Sequence, residues 1–142
     1  MADHLSKERR SWNMSRIKGR DTIPERKLRS CLHRLGFRFR IHEKKLPGKP
    51  DVVLPKYRTV IFVHGCFWHR HDSCKYAATP KSNESFWLEK FRGTLERDER
   101  NLNALKKLGW QVVIAWECEI KSNVDQVAQR IASHLEEIGH AA

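Results

Sequence analysis

The chain has 142 residues, enough for one ordinary domain that buries a core without disulfide staples. Hydrophobic residues are 39% and charged residues 32%, and no apolar run approaches the ~20 residues of a membrane helix, which excludes an integral membrane protein. The net charge of +11 points to a polyanionic partner, nucleic acid first; a membrane surface is the weaker alternative, because the basic residues are spread along the chain.

Residues 1–20 carry Lys7, Arg9, Arg10, Arg16, Lys18 and Arg20 around the isolated Trp12, Met14 and Ile17. With no apolar stretch to act as a signal peptide, the expected compartment is the cytoplasm, at the nucleoid if DNA is bound. The segment reads as a basic tail or as an arm that orders on DNA. A helix starts after Asp21-Thr22, where Thr22 and Glu25 have capping-box spacing and Pro24 suits the first turn; Leu28, Cys31, Leu32 and Leu35 form its apolar face and Gly36 ends it. Phe37 to Ile41 alternates as a half-buried strand. Val52 to Leu54 and Thr59 to Val63 follow as two more strands, the second of central type.

Residues 64–82 read as irregular and are crowded with His, Cys and aromatics. A long helix spans roughly Glu84 to Leu108, with Leu88, Phe91, Leu95, Leu102, Leu105 and Leu108 on one stripe. Gln111 to Glu117 is a buried-type strand and Asn123 to Ile138 a final helix. The order α-β-β-β-α-β-α predicts a single α/β domain, a mixed sheet flanked by helices.

Of the four cysteines, Cys31 lies on the apolar face of the first helix and reads as a buried thiol. Cys66, His71 and Cys74 form a C-x4-H-x2-C cluster, and Cys118 ends the last strand. Three thiolates and one imidazole suit tetrahedral Zn2+, which would staple the irregular segment to the sheet and leave no open position. A surface histidine among scattered thiols is the weaker reading.

Asp51 enters one strand and His64 ends its neighbour, an arrangement suited to presenting a Mg2+ ligand to a phosphate. His64 and His69 could move protons. In Phe67-Trp68, two large neighbouring aromatics cannot both face one core from an extended chain, so one is free to stack on or wedge between bases. Asp98 falls on the inward side of the long helix, as an ion-pair partner or as support for a catalytic histidine. Glu25 is either a capping residue or a carboxylate turned towards the site.

The run Ile61-Phe62-Val63-His64-Gly65-Cys66-Phe67-Trp68-His69-Arg70-His71 closely resembles the very short patch repair (Vsr) DNA mismatch endonucleases. So do Leu46-Pro47-Gly48-Lys49-Pro50-Asp51, Phe86-Trp87-Leu88-Glu89-Lys90, Glu96-Arg97-Asp98, and Leu108-Gly109-Trp110 with Trp116-Glu117-Cys118. They stand in family order over nearly the whole chain from Ser11 to Cys118. The resemblance implies a restriction-endonuclease-like fold with a zinc-stapled loop at 21–142, preceded by a DNA-contacting arm at 1–20.

It further implies Mg2+ on Asp51 and on the backbone carbonyl of Val63, which stands where some members have Thr. Proton-transfer and water-positioning roles fall to His64 and His69, supported by Asp98 and Glu25. Structural Zn2+ falls to Cys66, His71, Cys74 and Cys118, although the spacing between His71 and Cys74 varies by about a residue among members. Phe67, Trp68 and Trp87 match aromatics inserted beside a mismatch, and Met14 lies in the arm that contacts the opposite groove.

The activity implied is a nick 5′ of the thymine in T:G mismatches left by 5-methylcytosine deamination. A MutL-type repair protein is a possible partner and a cytosine-5 methyltransferase a functional link; a monomer suffices for one nick. The alternatives are a restriction-type nuclease and a non-catalytic zinc-containing DNA-binding module.

Overall fold

The computed structural model describes residues 22–72 and 74–141; the 1–20 arm and Met14 lie outside them. Helix α1 (Ile23–Arg34) is capped by Thr22, whose hydroxyl accepts the Glu25 N–H at 3.4 Å. It ends on Gly36 at φ 96°, where the Phe37 N–H returns to the Leu32 carbonyl. Strands β1 (Val52–Leu54) and β2 (Thr59–His64) form an antiparallel pair with Val52 opposite Ile61 and Leu54 opposite Thr59. Strand β3 (Gln111–Trp116) lies parallel to β2, with Val60 opposite Val112 and His64 opposite Trp116. A parallel neighbour requires a long crossover, supplied here by the 65–83 segment and helix α2 (Glu84–Lys107). Helix α3 (Glu117–Ala141) follows β3 directly. The result is a mixed three-stranded sheet flanked by helices, a single α/β domain.

Three expectations need correction. The strand over 37–41 reduces to one bridge, Arg40 with Val53, made by reciprocal N–H···O bonds of 2.8 and 2.9 Å. Phe37 is buried and Phe39 packs on the core, so the alternation is real; the left-handed backbone at His42 (φ 58°) turns the chain away before a second pair can form. The helix expected from Asn123 begins at Glu117 instead. Asn123 is an extended break within it, and its side chain accepts the Gln126 N–H, so the predicted start survives as an internal cap. The expected stripe on α2 is only partly buried: Phe91 and Leu105 are covered, whereas Leu88, Leu95 and Leu108 are exposed. A helix of 24 residues is about 36 Å long and β2, with 6, about 20 Å, so α2 overhangs the sheet.

The two faces of the sheet are unequal. Leu28 and Leu32 of α1 with Ile120, Ile131 and Leu135 of α3 close one face over Val52, Leu54, Ile61 and Ala115. On the other face only Val53, Val60 and Leu105 form a buried cluster, with Leu46, Phe62, Trp110 and Val112 against it. That thin packing leaves a cleft between α2 and the sheet. Among the described residues, no helix is long and apolar enough to cross a membrane.

Candidate active site and metal centre

A cleft of about 400 Å³ opens between α2, the ends of β2 and β3, the first turn of α1 and the loop that leads into β1. Asp51, just ahead of β1, accepts the Val63 N–H at 2.6 Å through Oδ2. In a strand, the N–H and C=O of one residue project from the same edge, so the Val63 carbonyl faces the Asp51 side as well. Glu25, 5% exposed on the first turn of α1, brings its carboxyl against that of Asp51. Burial pushes the Asp51 carboxyl up to about 7; the Val63 N–H opposes this, Glu25 adds to it, and Arg29 pulls the other way. Two crowded carboxyls with a backbone carbonyl beside them are a hard-oxygen donor set, and a divalent cation would relieve their mutual repulsion. The residues fit Mg2+.

His64 ends β2 and is 7% exposed; its ring stacks on that of His69 at 3.7 Å with 7° between planes. Asp98 of α2 accepts the His69 Nδ1–H through Oδ2 at 2.6 Å, leaving Nε2 as the lone-pair nitrogen of the neutral ring. Burial, with His69 adding to it and Asp98 partly offsetting both, lowers the His64 imidazole to about 4. His64 is therefore neutral near pH 7. The donor atoms of His64, His69 and Asp98 all lie within 4.8 Å of one another. Yet stacked parallel rings carry their in-plane lone pairs side by side rather than converging on one ion, which suits proton transfer better than shared metal ligation.

Behind this cleft, the donor atoms of Cys66, His71, Cys74 and Cys118 also lie within 4.8 Å of one another. Cys118 Sγ is 3.3 Å from His71 Nδ1, and the Cys118 N–H donates to Cys66 Sγ at 3.4 Å. Tetrahedral zinc, with Zn–S of ~2.3 Å and Zn–N of ~2.0 Å, places a sulfur and a nitrogen ligand roughly 3.5 Å apart, close to the 3.3 Å pair. Burial pushes the Cys66 thiol up to about 12, so a thiolate there needs a cation beside it. The cluster is a possible metal site, and its donors fit Zn2+. Cys118 reaches it from the first turn of α3 rather than from the strand end that the sequence predicts.

Phe67 and Trp68 are both half-buried, contrary to the expectation that one must stand free. The chain here is not extended: the His69 N–H bonds the Gly65 carbonyl, closing one helical turn that brings both rings to one side. Phe67 meets Trp68 at 5.1 Å, Trp87 at 5.5 Å and the buried Phe91 at 5.2 Å, all edge to face. Arg70 braces the group. Its guanidinium lies 3.9 Å over Phe91 and donates to the Phe67 carbonyl and the Thr79 hydroxyl.

Residues 2–75 match the family model described as DNA mismatch endonuclease Vsr. The chain belongs to the Vsr family. It is 44% identical over 137 residues to the DNA mismatch endonuclease Vsr of Escherichia coli, covering 96% of this chain and 87% of that one. It is 43% identical over 136 residues to the type II nicking enzyme V.XorIIP of Xanthomonas oryzae (96% and 98% covered). It is also 47% identical over 122 residues to the type II nicking enzyme V.NmeAIP of Neisseria meningitidis (86% of each). This Vsr-family protein is accordingly a DNA endonuclease, a phosphodiester hydrolase.

The cleft gathers Glu25, Asp51, Val63, His64, His69 and Asp98. Lys49, Glu99 and Asn101 share it and were not singled out by sequence. A signal existed for two of them: Lys49 adjoins Pro50-Asp51, and Asn101 lies three residues from Asp98 on one helix face.

Proposed function

We propose that this Vsr-family endonuclease hydrolyses the phosphodiester 5′ of the thymine in T:G mismatches, thereby starting very short patch repair of deaminated 5-methylcytosine. The observation that carries the reading is the single cleft holding Glu25, Asp51, His64, His69 and Asp98, flanked by the Phe67, Trp68 and Trp87 group.

Asp51, Glu25 and the Val63 carbonyl would hold Mg2+. When bound, the ion supplies positive charge beside the phosphate and acidifies water. His69 Nε2, oriented by Asp98, accepts the proton of the attacking water, and the Asp98 carboxylate steadies the ring as it becomes cationic. His64, neutral and stacked on His69, positions that water and keeps a second positive charge out of the site.

Cys66, His71, Cys74 and Cys118 would hold structural Zn2+, fixing the segment that carries the aromatics. Phe67, Trp68 and Trp87 wedge beside the mispaired step, which costs less to unstack than a matched one. Met14 in the 1–20 arm meets the opposite groove. The net charge of +11 supplies sequence-independent affinity. One cleft per chain is enough for one nick, so a monomer acts, in the cytoplasm on nucleoid DNA. A MutL-type protein and a cytosine-5 methyltransferase are its functional partners.

A second reading, a nicking nuclease of restriction type that acts on matched DNA, is favoured by the relatives named type II nicking enzymes. Strand-resolved cleavage of end-labelled T:G and C:G duplexes, with Mg2+ and with EDTA, separates the two. A Mg2+-dependent nick on the T strand of the mismatch alone supports the first reading. Equal cutting of both duplexes supports the second, and binding without cleavage in every flanking context refutes both.

A further inference from the structure

The cleft is lined by four carboxylates, Glu25, Asp51, Asp98 and Glu99, and among the described residues by a single lysine or arginine, Lys49. A phosphodiester entering such a pocket meets repulsion that local cations must offset.

The backbone at Lys49 points the same way. Lys49 has φ 50° and follows Gly48 at φ 77°, and its N–H returns to the Leu46 carbonyl at 3.1 Å. Glycine or asparagine takes such left-handed positions most readily, yet a lysine occupies this one. Four other non-glycine residues share that conformation, His42, Arg58, Arg70 and Asn83, and none of them lines this cleft. The loop is also pinned. A Cβ at Gly48 would come within 3.1 Å of Asn101 Cβ and of Phe62 Cζ, so the backbone here is seated against both α2 and β2. A seated loop carries the exposed Lys49 on the rim two residues ahead of Asp51, within reach of a phosphate entering the cleft.

We propose that the Lys49 ammonium contacts a non-bridging oxygen of the scissile phosphate and stabilises the charge gathering there in the transition state. Lys49 takes no part in proton transfer; it is a further catalytic residue of electrostatic type. The inference rests on the nuclease reading of the cleft.

The test compares Lys49→Gly, Lys49→Met and Lys49→Arg with the wild type on T:G and C:G duplexes, under saturating DNA and Mg2+, alongside melting curves. Glycine accepts φ 50° without strain, so Lys49→Gly should melt at the wild-type temperature or above. It should nonetheless nick about 10²–10³-fold slower, the usual cost of losing one transition-state contact. Lys49→Met should slow likewise, and Lys49→Arg should stay within about fivefold of wild type, since its charge reaches the same oxygen.

Lys49→Gly nicking at the wild-type rate under saturating DNA, whatever change a DNA titration shows in KM, overturns the proposal. The ratio of variant to wild type is read on whichever duplex the wild type cuts. A wild-type preference for matched DNA therefore refutes the mismatch reading and leaves the lysine result intact. A wild type that cuts neither duplex in any flanking context refutes both.

Discussion

Replacing Asp98 by Asn isolates the role of the His69–Asp98 pair. The pair is 2.6 Å long and its side chains are about one quarter exposed, so solvent screens it only in part. A hydrogen bond to a charged group contributes ~1.5–3 kcal/mol, and the partial exposure argues for the lower half of that range. The carboxylate matters most when His69 takes a proton, so the loss falls on the transition state. At roughly 1.4 kcal/mol per decade, kcat should fall about 10–40-fold from lost charge alone, and further if Asn no longer fixes Nδ1 as the protonated nitrogen. Single-turnover nicking of a T:G duplex reads the rate, and gel shift and thermal melting read binding and fold. Nicking within twofold of wild type, or a loss that tracks weaker binding, would refute the assignment of His69 as the Asp98-oriented base.

Other outcomes follow from the same geometry. Asp51→Ala should abolish nicking and leave binding of the T:G duplex within a few-fold, as gel shift will read. The Asp51 carboxyl, raised from 3.8 to about 7 by burial, must lose its proton to bind Mg2+. Half-saturating Mg2+ should therefore rise about tenfold per pH unit below 7 and be flat above it. Because this folded-state value lies above the unfolded one, the metal-free chain should lose stability as pH rises from about 4 to 7; Asp51→Asn should flatten that slope. Cys118→Ser should release zinc, measured by a chelating dye, and lower the melting temperature; a metal-free variant of full stability would remove the zinc assignment. Arg70→Ala removes the cation over Phe91, worth ~0.5–2 kcal/mol, and the bond to the Phe67 carbonyl. Discrimination of T:G over C:G should fall about three- to tenfold in paired nicking rates, while zinc content stays at one per chain.

What the sequence made legible was local pattern and chemical type. Thr22-Ile23-Pro24-Glu25 announces a helix start because capping chemistry lies within four residues. Thr59 to Val63 announces a central strand because β-branched residues dominate it. The three cysteines and His71 are legible as a cluster because Cys66, His71 and Cys74 fall within nine residues of an irregular segment and supply the donor types that zinc takes.

What was not legible depends on lengths and turns set by tertiary packing. The overhang of α2, which exposes Leu88 and Leu95, appears only when 24 helical residues are laid against strands of 6 or fewer. The turn at residues 65–69 puts Phe67 and Trp68 on one side, and no period in His-Gly-Cys-Phe-Trp-His predicts it. Glu25 shows both kinds at once. Its backbone N–H serves the cap that the sequence announces, while its side chain meets Asp51 across more than twenty intervening residues.

Charge divides the labour of the molecule. At long range the excess of basic residues draws DNA in, and this attraction fades with salt. Inside the cleft the balance reverses, with four carboxylates facing one lysine, so the phosphate is repelled where it must react. A chain built only to bind would gain affinity by neutralising those carboxylates. Keeping them gains nothing unless a cation is recruited there and a histidine must be held as a base. Removing the Asp51 charge should accordingly leave binding intact or tighten it, even as cleavage stops. A variant that lost both together would place the carboxylates in the fold rather than in the chemistry.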